Sequence, residues 1–325
     1  MKKLLMVGFV FGDRYQYYIP RYARSILLND PDADVCIYVD KEIIEPLKPI
    51  IGKLREDPRV RIVENLKEKN EAYRRIEKHP AYQKAIRWLL LDDFFYDYEA
   101  VYIGDVDIFV CREEPSLYEQ HMQHMKLLGT PYSNYRRHQI RVKNYDLLSK
   151  AKLIRRHGVR MAREMWSEKP IELDRLTGLH FVKTKEYFGH VGKVIPEMLR
   201  ELEKNDELPV EVKRKYVETD ECILYELVKR SGLPELPITP DGTIVDYRMY
   251  QCRSFRPHHG IHFGAFRSAR LMQREHQMIC SDVYRDYYAQ LADELAHDEL
   301  LAEWRKNLPE EIQTTLKNIE DFYAE

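Results

Sequence analysis

Four short apolar runs constrain this chain more than any other feature. KLLMVGFV at 3–10 reads as a fully buried strand, VCIYVD at 35–40 and AVYIG at 100–104 as buried strands, and VRIVE at 60–64 as a further strand. Segments with helical spacing separate them. Tyr15, Tyr18, Tyr22 and Ile26 recur on one face over 15–28, where Pro20 starts or kinks the helix. KEIIEPLKPIIGKL reads as an interrupted helix, and AYQKAIRWLLLDDFFYDY, 81–98, as a strong, mostly buried one. Strands alternating with helices predict an α/β fold with a largely parallel sheet.

Further along, KLLGT at 126–130 is expected to be a strand. Residues 133–170 read as loop and then helix, GLHFVKT at 178–184 as a strand, and 185–203 as a helix. Another helix begins near Asp220 and stops at Gly232. LPELPITPDGT is turn-rich. From about 282 onward Tyr284, Tyr288, Leu291 and Leu295 mark a charged helical tail. The expected organisation is one domain over 1–281 and a helical tail over 282–325.

The hydrophobic share of 44% and charged share of 33% belong to a globular chain rather than a disordered one. A formal net charge of -2 provides no overall field for nucleic acid or an anionic membrane. No apolar run approaches the ~20 residues of a transmembrane helix. The N-terminal MKKLLMVGFVFGDRYQYY has the charge and apolar run of a signal peptide but no small-residue cleavage site. It reads as the first buried strand, and the expected location is the cytoplasm. Five scattered cysteines without a CxxC pair argue for free thiols rather than structural zinc or a disulfide framework.

The chemistry concentrates in AVYIGDVDIFV. A buried strand ends, and two carboxylates follow one residue apart. At the carboxyl end of a sheet strand such groups point into the crevice where α/β sheets bind ligands. Their mutual repulsion is relieved by a hard divalent cation with a preference for oxygen, Mg²⁺ or Mn²⁺. That ion can bridge a diphosphate and stabilise it as a leaving group. An acidic turn capping the next element is the alternative.

The longer stretch AIRWLLLDDFFYDYEAVYIGDVDIFV resembles the centre of the nucleotide-diphospho-sugar transferase fold, GT-A. It is most similar to retaining glycosyltransferase families 6 and 8. The resemblance implies a Rossmann-type mixed sheet flanked by helices, with a helical C-terminal tail. It implies that Asp105 and Asp107 bind the metal and that Arg87 lies near the nucleotide. TGLHFVKTKEYF is similar to the segment lining the donor sugar and acceptor, with Thr177, Gly178 and His180 as candidates. ETDECILYEL is similar to the acidic pair opening a late helix, so that Asp220 or Glu221 serves the sugar; helix capping is the alternative. A carboxylate there could stabilise an oxocarbenium-like transition state or attack as nucleophile. GIHFGAFR resembles the H-F-x-G motif of family 8, with His262 as third metal ligand and Arg267 on a phosphate. Its glycine comes one position early and arginine replaces lysine. In the resembled fold the uracil lies over the first strand, and Phe9, Tyr15 and Tyr18 are the candidates to border it. The glycines at 8 and 12 form neither a dinucleotide fingerprint nor a P-loop.

The expectation is a metal-dependent glycosyltransferase that moves a hexose from a UDP-sugar to a glycan or lipid-linked acceptor, using Mn²⁺ or Mg²⁺. Its rivals are a haloacid dehalogenase-type phosphatase with Asp105 as nucleophile and a non-catalytic carbohydrate-binding protein on the same fold. The phosphatase motif wants Thr or Val where Phe109 stands. A zinc cluster of His258, His259 and His262 has no Cys or acidic partner nearby in sequence. The basic run 135–166 reads as a solvated face, then as an acceptor loop for an anionic glycan or lipid, and last as a nucleic-acid patch. The tail could fold onto the domain, dimerise or touch a membrane, and its mixed charge weakens the membrane reading.

Overall fold

The computed structural model describes residues 2–77, 82–141, 147–165, 171–204, 212, 215–216, 219–237 and 259–324. Its strands are β1 (Lys2–Val10), β2 (Ala33–Val39), β3 (Val60–Val63), β4 (Tyr98–Gly104), β5 (Ile108–Val110), β6 (Tyr132–Ser133), β7 (Arg136–Arg141), β8 (Ile171–Leu176), β9 (His180–Lys183) and β10 (Gly260–His262). Six of them form one sheet in the order β3-β2-β1-β4-β9-β6. The first four are parallel, while β9 runs antiparallel to β4 and β6 antiparallel to β9. The expected α/β architecture is present: a mixed sheet between helices, with a helical C-terminal segment.

Both central strands are covered on each face, because successive side chains alternate between two cores. Leu4, Met6 and Val10 of β1 and Val35 and Ile37 of β2 join the helices Ile19–Asn29 and Lys48–Arg55 on one side. Leu5, Val7 and Phe9, with Cys36 and Tyr38, meet the helices Thr184–Val191, Ile195–Glu203 and Asp220–Arg230 on the other. This double coverage explains the unbroken apolar runs of the sequence.

The C-terminal helices Asp282–His297, Glu299–Lys306 and Glu310–Ala324 belong to the first of these cores through Tyr284, Leu291, Trp304 and Ile319. Trp304 Nε1 donates to the Tyr17 carbonyl at 2.6 Å. Asn318 Nδ2 donates to the Phe266 carbonyl at 2.8 Å.

Three local expectations are corrected. Residues 81–98 do not form one helix: within them lie a 3-10 turn at Gln83–Ala85, a single α-turn at Ile86–Leu89 and another 3-10 turn at Asp93–Asp97. The chain turns extended at Leu90, and the Asp92 side chain then caps the last turn by accepting from Phe94 N–H. KLLGT is not a strand. Its apolar residues end the helix Leu117–Leu128, which opens on a Ser116–Glu119 capping box and stops at Gly129 in the left-handed region, φ 67°. The helix expected over 15–28 is divided into Asp13–Gln16 and Ile19–Asn29, with Pro20 in the first turn of the second. Cys36, Cys111 and Cys222 are buried free thiols and Cys280 is partly exposed. Cys252, His258 and the turn-rich stretch from 238 lie outside the described residues. Among the described residues no helix is long and apolar enough to cross a membrane.

Candidate active site

The chain leaves β1 toward β2 on one side and returns to β4 on the other. The crevice beyond the carboxyl ends of β1 and β4 is therefore a topological switch point, where open α/β sheets bind ligands. A cleft of about 560 Å³ opens there. Phe9 and Phe11 enter it from the end of β1, and Asp105 and Asp107 from the turn after β4.

A glycine lets that turn sit where it does. A Cβ at Gly8 would stand 2.5 Å from the Val106 side chain, so the Asp-Val-Asp turn crosses β1 only because position 8 has no side chain. Arg21, fully buried in the helix beneath, donates Nη2 to the Val106 carbonyl at 3.2 Å and lies 3.7 Å from the centre of the Phe263 ring. Burial lowers its pKa to about 10. Its Nε and Nη1 find no hydrogen-bond partner among the described residues.

His262 arrives from a distant part of the chain. β10 pairs antiparallel with β5, placing His262 opposite Ile108, and Phe263 N–H donates to the Asp107 carbonyl at 2.9 Å. The result brings one ligand atom each from Asp105, Asp107 and His262 within 4.8 Å of one another. His262 Nε2 is 3.4 Å from Asp107 Oδ1, and Arg267 Nη2 is 2.5 Å from Asp107 Oδ2. A Cβ at Gly264 would stand 2.8 Å from His262 Nε2 and 3.3 Å from Asp107 Oδ2. Two carboxylates and an imidazole around a pocket that a methyl group would crowd could hold a metal ion.

The electrostatics of Asp107 are set by the cations around it. Burial alone would raise the Asp107 pKa, but His262, Arg267 and Arg21 outweigh it and hold the carboxyl well below its usual range. Burial would lower the His262 pKa, and the facing Asp107 reverses this and raises it.

On the opposite wall, Arg87 stitches two acids together. Its Nη1 donates to Asp105 Oδ1 at 2.7 Å and its Nε to Asp220 Oδ2 at 2.8 Å, while Trp88 Nε1 also donates to Asp220 Oδ2 at 3.0 Å. Burial opposes the Arg87 charge, but Asp220 and Asp105 prevail and its pKa is raised. Asp220 thus stands behind Arg87, and Glu221 is the acid in the cleft wall. Glu221 accepts from Gly178 N–H at 3.0 Å and from Arg175 Nη1 at 3.1 Å. Burial raises its pKa against the pull of Arg175 and Arg137. A Cβ at Gly178 would crowd Arg87 Nη2 at 3.0 Å.

Asp105, Asp107, His262, Arg87, Arg267, Gly178, Thr177, Glu221, Phe9 and Tyr15 therefore share one cleft. Tyr18 and His180 do not. Tyr18 is fully buried with its ring edge-on to Phe263, and its place in the core follows from its helical spacing. His180 is buried beside Trp88 and Tyr187, and burial lowers its pKa to about 3. His259 hydrogen-bonds Glu113 at 3.0 Å in the core, away from the cleft lining. The sequence reading missed Phe11, Lys84, Tyr135, Arg137 and Arg274, which also line the cleft. Lys84 had a signal, since it precedes Arg87 by three positions and so shares its helical face.

No family model matches the chain, and no curated protein matches it in sequence. Solved structures do resemble it. One is the galactosyltransferase LgtC in complex with donor and acceptor sugar analogues, at 14% identity over 65% of this chain and 70% of that one, TM-score 0.34. Another is the mannosyltransferase Ktr4p from S. cerevisiae in complex with GDP, at 11% identity over 73% and 72%, TM-score 0.38. A third is S. aureus TarS in complex with UDP, at 11% identity over 99% and 89%, TM-score 0.32. The likeness is one of fold. What the cleft can do follows from its own atoms.

Proposed function

We propose that this protein is a metal-dependent glycosyltransferase that moves a hexose from a UDP-sugar to a glycan or lipid-linked acceptor, with retention of configuration. One observation carries the reading: Asp105, Asp107 and His262 converge within 4.8 Å at the switch point of the sheet. A divalent ion held there would neutralise the diphosphate as it leaves. Arg267, beside Asp107, and Arg87, beside Asp105, would steady the same phosphates. Phe9, Phe11 and Tyr15 offer an aromatic border for the base.

Glu221 is the acid assigned to the sugar. Its carboxylate is oriented by Gly178 N–H and Arg175, so it could face positive charge developing at the anomeric carbon without reorganising. Asp220 keeps Arg87 in position. Retention comes from the family resemblance of the sequence, and the anomeric configuration of the product, read by NMR, tests it. The phosphatase alternative needs Asp105 as an attacking group, whereas its Oδ1 accepts from Arg87.

The decisive experiment is a thermal-shift panel of nucleotides and UDP-sugars with and without Mn²⁺, since a ligand selective for the folded chain raises its melting temperature. UDP should stabilise the protein only when metal is present, and Asp107→Ala should abolish the effect. A metal-independent shift by NAD or ATP would overturn the assignment.

A further inference from the structure

One segment that starts at the cleft and leads away from it combines features that a solvated surface does not need. Between Arg136 and Arg163 the sequence has ten Lys and Arg and a single Asp, in a chain whose formal net charge is -2. Among the described residues, eight large apolar side chains are exposed, and five of them lie here: Ile140, Leu147, Leu148, Ile154 and Val159. Leu147 is 85% and Leu148 74% exposed. Scattered single apolar residues on a surface are ordinary, but a cluster marks a contact.

The helix Leu147–Met165, bent at Gly158 where φ is 76° and ψ 164°, arranges these residues by type. Leu147, Ala151 and Ile154 are spaced i, i+4 and i+7, so they share one face. All three are exposed, and Leu148 borders them. Lys150 lies on one flank of that face, and Lys152 and Arg155 on the other. Ala162, beyond the bend, is buried against the body. An exposed apolar stripe edged by bases is the pattern of a helix that lies in a membrane interface. The bases match anionic headgroups, and the leucines and isoleucine match the acyl boundary beneath them. Nucleic acid would satisfy the charge and leave the apolar stripe wet. A second copy of the chain meeting this face across a twofold axis would set bases against bases.

We infer that the helix Leu147–Met165 seats the protein on an anionic lipid surface. The strand that precedes it in the sequence starts in the cleft: Tyr135 and Arg137 line the cavity, and β7 runs from there to exposed Ile140. Seating the helix brings that wall of the cleft to the membrane, where an acceptor on a lipid carrier would be. This last step rests on the transferase reading, while the docking itself does not.

The test is flotation of the full chain with vesicles of phosphatidylcholine alone or phosphatidylcholine mixed with phosphatidylglycerol. Binding is expected only to the anionic vesicles, and raised salt should weaken it. Leu148→Ser with Ile154→Ser, and separately Lys152→Glu with Arg155→Glu, should each lower the bound fraction about tenfold. Melting temperatures should stay unchanged, because these side chains are exposed. Asp107→Ala should float like the parent, which separates failure of the membrane inference from failure of the transferase reading. Absence of binding, equal binding to neutral vesicles, or unchanged binding by both double variants overturns the inference.

Discussion

His262 Nε2 and Asp107 Oδ1 face each other at 3.4 Å although 155 positions separate them in the chain (262 minus 107), because the short β5–β10 ladder sets their backbones side by side. Removing the carboxylate should therefore do two things. Asp107→Ala should weaken Mn²⁺–UDP binding by roughly tenfold or more, measured by calorimetry. It should also cost about 3 kcal/mol of stability, because Arg267 and Arg21 lose their buried counter-charge. Asp107→Asn should recover part of the stability in denaturant titration and little of the metal binding.

Gly264 tests the metal pocket without touching a charge. The methyl group of Gly264→Ala would stand 2.8 Å from His262 Nε2. The imidazole has to shift, and metal affinity should fall roughly tenfold with a melting temperature close to that of the parent. Unchanged affinity would mean that His262 is not a ligand.

The two neighbouring acids should separate kinetically. Glu221→Gln should lower kcat by about tenfold to a hundredfold with little change in UDP affinity. Asp220→Asn frees Arg87 from one of its two anchors, so it should raise the donor KM more than it lowers kcat. Steady-state kinetics with varied donor distinguishes them.

Glu294 gives a pH-dependent stability effect far from the cleft. Burial raises its pKa from 4.5 to about 7, opposed by the hydrogen bond from Asn29, with Asp298 and Asp293 raising it further. From pH 4.5 upward the unfolded chain releases this proton while the folded chain keeps it, so stability falls until about pH 7 and stays reduced above it. Glu294→Gln should stabilise the protein at about pH 8 by roughly 1 kcal/mol after allowance for solvent screening. Thermal melts should show the gain vanishing as the pH approaches 4.5.

Much of this arrangement was legible in the sequence, and the failures have physical causes. Buried parallel strands must be apolar on both faces, so β1, β2 and β4 stood out, and the carboxylates after β4 stood out against them. The stretch 81–98 misled because apolar residues spread around the whole helical circumference do not show where a chain breaks; the Asp92 cap ends the run. KLLGT misled because a short apolar run can close a helix as well as form a strand. Asp220 and Glu221 are consecutive helical residues about 100° apart, so one faces the cleft and its neighbour cannot. Tyr15 and Tyr18 share a face in a continuous helix, but the helix is divided between them, so one reaches the cleft and the other packs edge-on to Phe263.

The C-terminal helices hold the backbone around His262, the proposed third metal ligand. The helix Asp282–His297 lies against β10, Asn318 is hydrogen-bonded to Phe266, and Trp304 packs on Phe263. A random-mutagenesis screen for lost activity should therefore score hits on the inner faces of these helices, and their distance from the nucleotide would make them look like folding defects. Many would instead be misplaced-imidazole defects, recognisable because excess manganese restores part of the turnover.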